Sequence, residues 1–338
     1  MKVNGTIWIL FYFYVRYQFS SFVPCQAVLK FVYLKKARKC WKKKSDIRIY
    51  CKILNCIEDG GIHMTTRSQS WFAKTAVHPA EKLQLFCFPY AGGGASIFTS
   101  WKSRLAPDIT VLPVQLPGRE SRSTEAPMDT IQDIVRSLLP AMAPYIHNKP
   151  FAFFGHSMGA LIAFETARQL YSQTGRLPVH IIASGKSAPH LPYSKKQLHD
   201  LADQPFTEEL RLMQGTPEEV LQNAELMQII MPRLRADFKV CETYVYQQGD
   251  PLACPMTILG GMKDYEVTTD SLHAWQQHTS SPIDVRMFEG NHFFIHEQEQ
   301  EVISAVVNIL SVSPVPNHAA AAHTSHSTNT LQPRFRQS

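Results

Sequence analysis

The 338 residues allow one large or two modest domains, and at 44% hydrophobic they can bury a sizeable core. The net charge of +6 is unevenly spread: residues 1–63 hold 12 Lys/Arg against 3 Asp/Glu, and the rest holds 22 against 25, so the body of the chain is mildly acidic and gives no argument for nucleic-acid binding. Four of the seven cysteines also fall in the first 63 residues, and a sparse, odd set reads as reduced thiols in a reducing compartment, which points to a cytoplasmic protein.

The N-terminal 63 residues do not match the rest of the chain. Two aromatic, apolar runs, 3–15 and 17–29, are interrupted by Arg16, and neither reaches the length of a charge-free membrane span. A cationic cluster comes next, Lys35-Lys36-Ala37-Arg38-Lys39 and then Lys42-Lys43-Lys44. A membrane-surface anchor and a targeting extension are both open readings. We favour a basic, aromatic extension outside any packed domain, with Met64 as a natural beginning. Membrane contact is expected only if residues 1–63 are a real anchor. At the other end, residues 313–338 are rich in Ser, Thr, His, Ala and Pro and read as a disordered tail.

Between them, residues 64–312 alternate short apolar strands with amphipathic helices, the pattern of a mostly parallel sheet with helices on both faces. The expected strands are 83–88, 109–114, 151–154, 179–184, 255–260 and 283–288. The expected helices lie near 96–105, 130–146, 158–171, 270–277 and 297–310, and Pro140 should kink or break the second. Cys87 lies within the first strand and reads as a small buried hydrophobe. Residues 190–250 break the alternation with short helical patterns such as Glu208–Met213 and Pro217–Gln222. An insertion there would form a helical lid, with most of its apolar residues in a local core and three methionines suited to a deformable wall.

Gly155-His156-Ser157-Met158-Gly159 carries the chemistry. It succeeds the apolar run Phe151-Ala152-Phe153-Phe154 and opens an apolar helix. G-x-S-x-G between strand and helix is the nucleophile elbow of an α/β-hydrolase fold. A serine hydroxyl needs a histidine to take its proton, and that histidine needs a carboxylate to fix its tautomer. In this fold the chain order is Ser, acid, His. His292 lies after the last strand, with His296 as runner-up. Asp264 comes after the strand Thr257-Ile258-Leu259, whereas the other strand-end position, Gly185-Lys186-Ser187, offers no carboxylate. The backbone N–H groups of Met158 and of Ala91, in Pro89-Tyr90-Ala91-Gly92-Gly93-Gly94, are the expected oxyanion donors. A phosphate-cradling role for those glycines fails, because no Gly-Lys-Ser/Thr succeeds them.

These stretches, with Gln115-Leu116-Pro117-Gly118-Arg119-Glu120-Ser121-Arg122, Gly260-Gly261-Met262-Lys263-Asp264 and Gly290-Asn291-His292-Phe293-Phe294, resemble the type II thioesterases of nonribosomal peptide and polyketide synthesis. They also resemble the related oleoyl and medium-chain acyl-carrier-protein thioesterases. The likeness spans about residues 80–310. It implies hydrolysis of acyl thioesters held on the phosphopantetheine of an acyl or peptidyl carrier protein. It also implies a Ser157–Asp264–His292 triad, and no cofactor or metal of the enzyme's own. Arg119 and Arg122 would contact carrier phosphate or, as we favour, brace their own loop. A carboxylesterase or lipase acting on small oxoesters is the alternative; a non-catalytic scaffold on the same fold is disfavoured by the complete residue set.

Overall fold

In the computed structural model, residues 70–72, 80–147 and 149–312 are described, so the expectations for 1–63 and 313–338 lie outside the described residues. The apolar runs form six strands: β1 Leu83–Phe88, β2 Ile109–Pro113, β3 Phe151–His156, β4 Ile181–Ser184, β5 Met256–Gly261 and β6 Asp284–Phe288. All are parallel, in the order β2-β1-β3-β4-β5-β6. Strands buried on both faces read as continuous hydrophobic runs, which is why Leu-Gln-Leu-Phe-Cys-Phe and Phe-Ala-Phe-Phe lack a polar face.

Alternate side chains feed two cores. Phe86, Phe88, Phe151, Phe153 and Ile181 pack beneath α2 (Ile131–Ile146) and α3 (Met158–Thr174). Leu85, Cys87, Ala152, Phe154 and Ile182 pack on the opposite face, against α1 (Thr99–Leu105) and, at the chain's other end, a helix over Glu299–Val312. Cys87 is fully buried, as expected, and burial pushes its thiol well above the usual range.

Pro140 does not break α2, which runs without interruption through both Pro140 and Pro144. The physical reason lies in its position. Arg136, Pro140 and Pro144 form one solvent-facing row, so the carbonyls that lose an intrahelical donor stay accessible to water. The opposite face buries Ile131, Ile134, Val135, Leu138, Leu139 and Met142 and holds the helix down.

The insertion between β4 and β5 is helical: α4 Asp203–Met213, α5 Glu218–Leu221 and α6 Ala224–Glu242. Leu198, Phe206, Leu210, Leu221, Met227 and Leu234 make a separate small core within it. The 19-residue α6, with Pro232 inside it, is longer than the short patterns of the sequence suggest. After β5 come α7 (Thr269–His273) and, beyond β6, α8 (Phe294–Glu297) and α9, the Glu299–Val312 helix. No helix among the described residues is long and apolar enough to cross a membrane.

The strand order places the site. The chain leaves β1 toward β2 on one side and returns to β3 on the other. The crevice at the carboxyl ends of β1 and β3 is therefore the point where connections diverge, the position ligands take in open parallel sheets. The loop after β1 and the turn after β3 face each other across it.

Candidate active site

Ser157 is the turn between β3 and α3, with φ 53° and ψ −117°. A non-glycine residue in such a region costs on the order of 1–3 kcal/mol and persists only where its surroundings impose it. Here the Ser157 N–H donates to Ser184 O at 2.7 Å, and its carbonyl accepts from Ala160 N–H at 3.0 Å. Glycine at 159 is a steric necessity: a Cβ there would lie 2.1 Å from Phe88 O, so any side chain would push α3 off the end of β1. Met158, fully buried, begins α3, where the first amides have no partner within the helix.

His292 lies on the loop after β6, and its Nδ1–H donates to Asp264 Oδ2 at 2.8 Å. A carboxylate only accepts, so this contact fixes the tautomer and leaves the lone pair on Nε2. Asp264, in the loop after β5, is held in turn: its Oδ1 accepts from Glu266 N–H at 2.7 Å, and its side chain is 1% exposed. Ser157 and His292 line the same cavity of about 340 Å³, and they also line an adjoining one of about 100 Å³ that includes Ala91, Met213 and Phe238. The structure thus brings together Ser157, His292 and Ala91 around one space and ties Asp264 to His292.

The runner-up His296 hydrogen-bonds with the Tyr90 hydroxyl at 2.8 Å rather than with Asp264. Of the lid methionines, Met213 lines the cavity, whereas Met227 and Met231 belong to the lid core and its outer groove.

His156 turns away from Ser157 into the interior, and its contacts show a role the sequence does not reveal. Its Nε2–H donates to the His292 carbonyl at 2.9 Å, and its Nδ1 accepts from the Ser184 hydroxyl at 2.9 Å. Burial, with the nearby His292 imidazole, holds its pKa well below the ordinary value, so it stays neutral. The backbone of His292 is therefore braced by the residue beside the serine.

Both loop arginines are bracing residues. The guanidinium of Arg122 donates to Glu125 Oε1 at 2.9 Å and Oε2 at 2.6 Å and stacks over Trp71. Arg119 is 2% exposed and forms a two-pronged pair with Asp237 on α6, which is 1% exposed. Neither guanidinium is free to meet a carrier's phosphate. Asp237 belongs to no motif of the sequence, where it stands among Arg233, Arg235 and Lys239 like any charged helix residue.

A family model described as a thioesterase domain matches residues 83–310. The gramicidin S biosynthesis protein GrsT of Aneurinibacillus migulanus is 47% identical over 255 residues, covering 75% of this chain and 99% of that one. The medium-chain S-acyl fatty acid synthase thioesterase of Rattus norvegicus is 33% identical, covering 66% and 86% respectively. Among solved structures, the type II thioesterase BorB from the borrelidin biosynthetic cluster superposes with a TM-score of 0.65 at 35% identity, over 71% of this chain and 97% of that one. With the α/β-hydrolase sheet and the serine elbow already in place, these matches show that the chain belongs to the thioesterase family, among its type II members, and is a thioester hydrolase of the serine type.

Proposed function

We propose that the protein releases acyl groups from the phosphopantetheine arm of an acyl or peptidyl carrier protein, using Ser157, His292 and Asp264 as a triad. The observation that carries this reading is the 2.8 Å contact from His292 Nδ1–H to the buried Asp264, which leaves Nε2 as a base on the cavity that Ser157 also lines. In the first step Nε2 takes the Ser157 proton as the oxygen attacks the thioester carbonyl. Asp264 stabilises the imidazolium. The Ala91 and Met158 N–H groups hold the oxyanion, each worth about 2.7–4 kcal/mol in the transition state. The C–S bond breaks, the imidazolium gives its proton to the departing sulfur, and the thiol departs, leaving an acyl-serine. A thiol has a pKa near ~8.5, so its departure asks less of the acid than an alcohol's would. Nε2 then takes a proton from water, the resulting attack releases the free acid, and Ser157 regains its hydrogen.

A carrier-bound substrate is supported by the relatives, which are named for gramicidin S biosynthesis and for fatty acid synthase. The larger cavity mixes hydroxyl-bearing Ser187, Ser194, Thr268 and Tyr193 with apolar Leu161, Ala188, Leu191 and Val267, a lining able to take an acyl group. A cytoplasmic site of action goes with carrier-bound intermediates.

The test is thiol release from a panel of acyl carrier and peptidyl carrier thioesters, with Ser157→Ala as control. Ser157→Ala should lose at least about 10⁴-fold in kcat. Unchanged activity in that variant would remove the mechanism. A strong preference for soluble oxoesters over carrier thioesters would replace the substrate class.

A further inference from the structure

Asp237 is a carboxylate buried in the middle of a lid helix, and burying a charge is unfavourable unless its lone pairs are used. Here they are. Oδ1 accepts from Arg119 Nη2 at 2.7 Å; Oδ2 accepts from Arg119 Nη1 at 2.7 Å and from the Gly92 N–H at 2.7 Å. Arg119 Nη1 also donates to Gly93 O at 2.9 Å. The lid helix thus grips two consecutive residues of the loop after β1, one directly and one through an arginine.

That loop is a tight turn closed by Gly93 N–H donating to Tyr90 O at 2.9 Å, with Ala91 and Gly92 as its central residues. Gly92 has φ +81°, the positive value that a type II turn requires at its third position. The Ala91 N–H belongs to the preceding Tyr90–Ala91 peptide; Asp237 accepts from the N–H of the next one, so it acts on Ala91 by holding the centre of its turn. Leu234, one turn earlier on the same face of α6, also bears on the loop: a Cβ at Gly92 would lie 2.7 Å from its Cδ2. Two side chains of one helix face therefore meet the turn that carries Ala91.

We propose that Asp237 is a positioning residue of the oxyanion hole: from the lid, it anchors the turn on which the Ala91 N–H rides, through the Gly92 N–H and, by way of Arg119, the Gly93 carbonyl, so that the hole is complete only while α6 is seated on the loop. This rests on Ala91 as an oxyanion donor. Oxyanion stabilisation is effective because its donors are aimed before charge develops, so a turn free to shift loses catalysis without losing substrate binding. The lid then does more than cover the cavity. Any motion that lifts α6 for substrate entry also disassembles the catalytic dipoles.

The experiment uses the full chain, a soluble acyl thioester of N-acetylcysteamine and a fluorophosphonate probe for Ser157. Asp237→Asn, which keeps shape and loses the charge and one acceptor, should lower kcat about ten- to a hundredfold with KM within about twofold, and should slow fluorophosphonate labelling in parallel. The double variant Arg119→Met/Asp237→Leu separates positioning from stability, because replacing a whole buried ion pair by apolar groups is often neutral or stabilising. With the melting temperature at or above the parent's, kcat should remain at least about tenfold low. Recovery of kcat together with melting temperature would overturn the proposal, as would a wild-type kcat in Asp237→Asn or an effect confined to KM. Ser157→Ala separates the two levels: if it stays active the triad reading itself fails, whereas an inactive Ser157→Ala beside fully active Asp237 variants sinks the positioning role alone.

Discussion

In the sheet, successive side chains sort cleanly between the two helix layers: Phe86 and Phe153 face one core, Leu85 and Phe154 the other. In the lid helix α6 that sorting fails. Asp237 and Glu242 are buried, while Leu226 and Ile229 stand 41% and 71% exposed. Most of the sheet's side chains are placed by burial, with His156 and Ser184 held by hydrogen bonds as well. The lid's are placed by what they must hold: Asp237 the turn after β1, and Glu242 the Leu198 and His199 N–H groups at 2.8 and 3.1 Å. A platform can be specified by hydrophobic pattern, whereas a cover that grips the backbone of a turn needs polar groups of its own.

The largest expected effect falls where the platform orients the chemistry. Asp264→Asn keeps the shape of the contact to His292 but can offer its NH₂ to Nδ1, favouring the wrong tautomer. We expect kcat to fall on the order of 10⁴-fold with KM little changed. Stopped-flow acylation of Ser157 checks this, and a loss below tenfold would mean that Asp264 does not set the tautomer.

The contrast between the regions also explains what the sequence could and could not reveal. All six strands lie within two residues of their expected limits, because a strand buried on both faces leaves an unbroken apolar run in the sequence. The contact of His292 with Asp264, and the place of Ser157 on the same cavity as His292, could be anticipated for a different reason: each residue lies just past a strand end, so the chain order of strands orders the residues too. Helix α6 was not legible. A buried Asp237, an exposed Ile229 and an internal Pro232 each blur the 3.6-residue period. The bracing of His292 by His156 was hidden as well, since it depends on β3 and the loop after β6 meeting across 136 residues of chain.

The next test sets the regions against each other directly. Phe154 is fully buried between Phe98 and Trp101 at ring distances of 5.9 and 4.7 Å. Phe154→Ala should cost about 3–5 kcal/mol, a fall in melting temperature on the order of 10 °C. Ile229→Ala, of similar hydrophobic character but on the lid's exposed face, should stay within about 0.5 kcal/mol. Equal losses in thermal melts would show that the exposed face of α6 is covered in solution.

Acid should act on the platform through its buried histidines. Burial holds His156 well below its usual range and His180 at about 4; burial, with the neighbouring His190, holds His278 at about 4. An unfolded imidazole titrates near ~6.5. Between about pH 6.5 and 4 the unfolded chain therefore binds protons that the folded one does not. This contribution is complete above that window and declines as pH falls through it, by about 1 kcal/mol per pH unit from His180 alone. Melting temperature recorded from about pH 7.5 down to 4.5 should drop, and His180→Gln should flatten the slope. An unchanged slope would mean that His180 is not held neutral.

The smallest effect concerns a place where the platform breaks a local rule. Pro140 leaves the Arg136 carbonyl without an intrahelical donor, on a row that faces solvent. Alanine there restores the N–H and removes the ring's clash with the preceding turn, while giving back some freedom to the unfolded chain. The opposing terms leave a net gain of about 1 kcal/mol, or roughly 2–4 °C, with kcat and KM unchanged because α2 lies away from the cavities. A fall in melting temperature would show that α2 needs the bend proline imposes to lay Leu138 and Met142 against the sheet. In that case hydrophobic pattern would not suffice to specify even the platform.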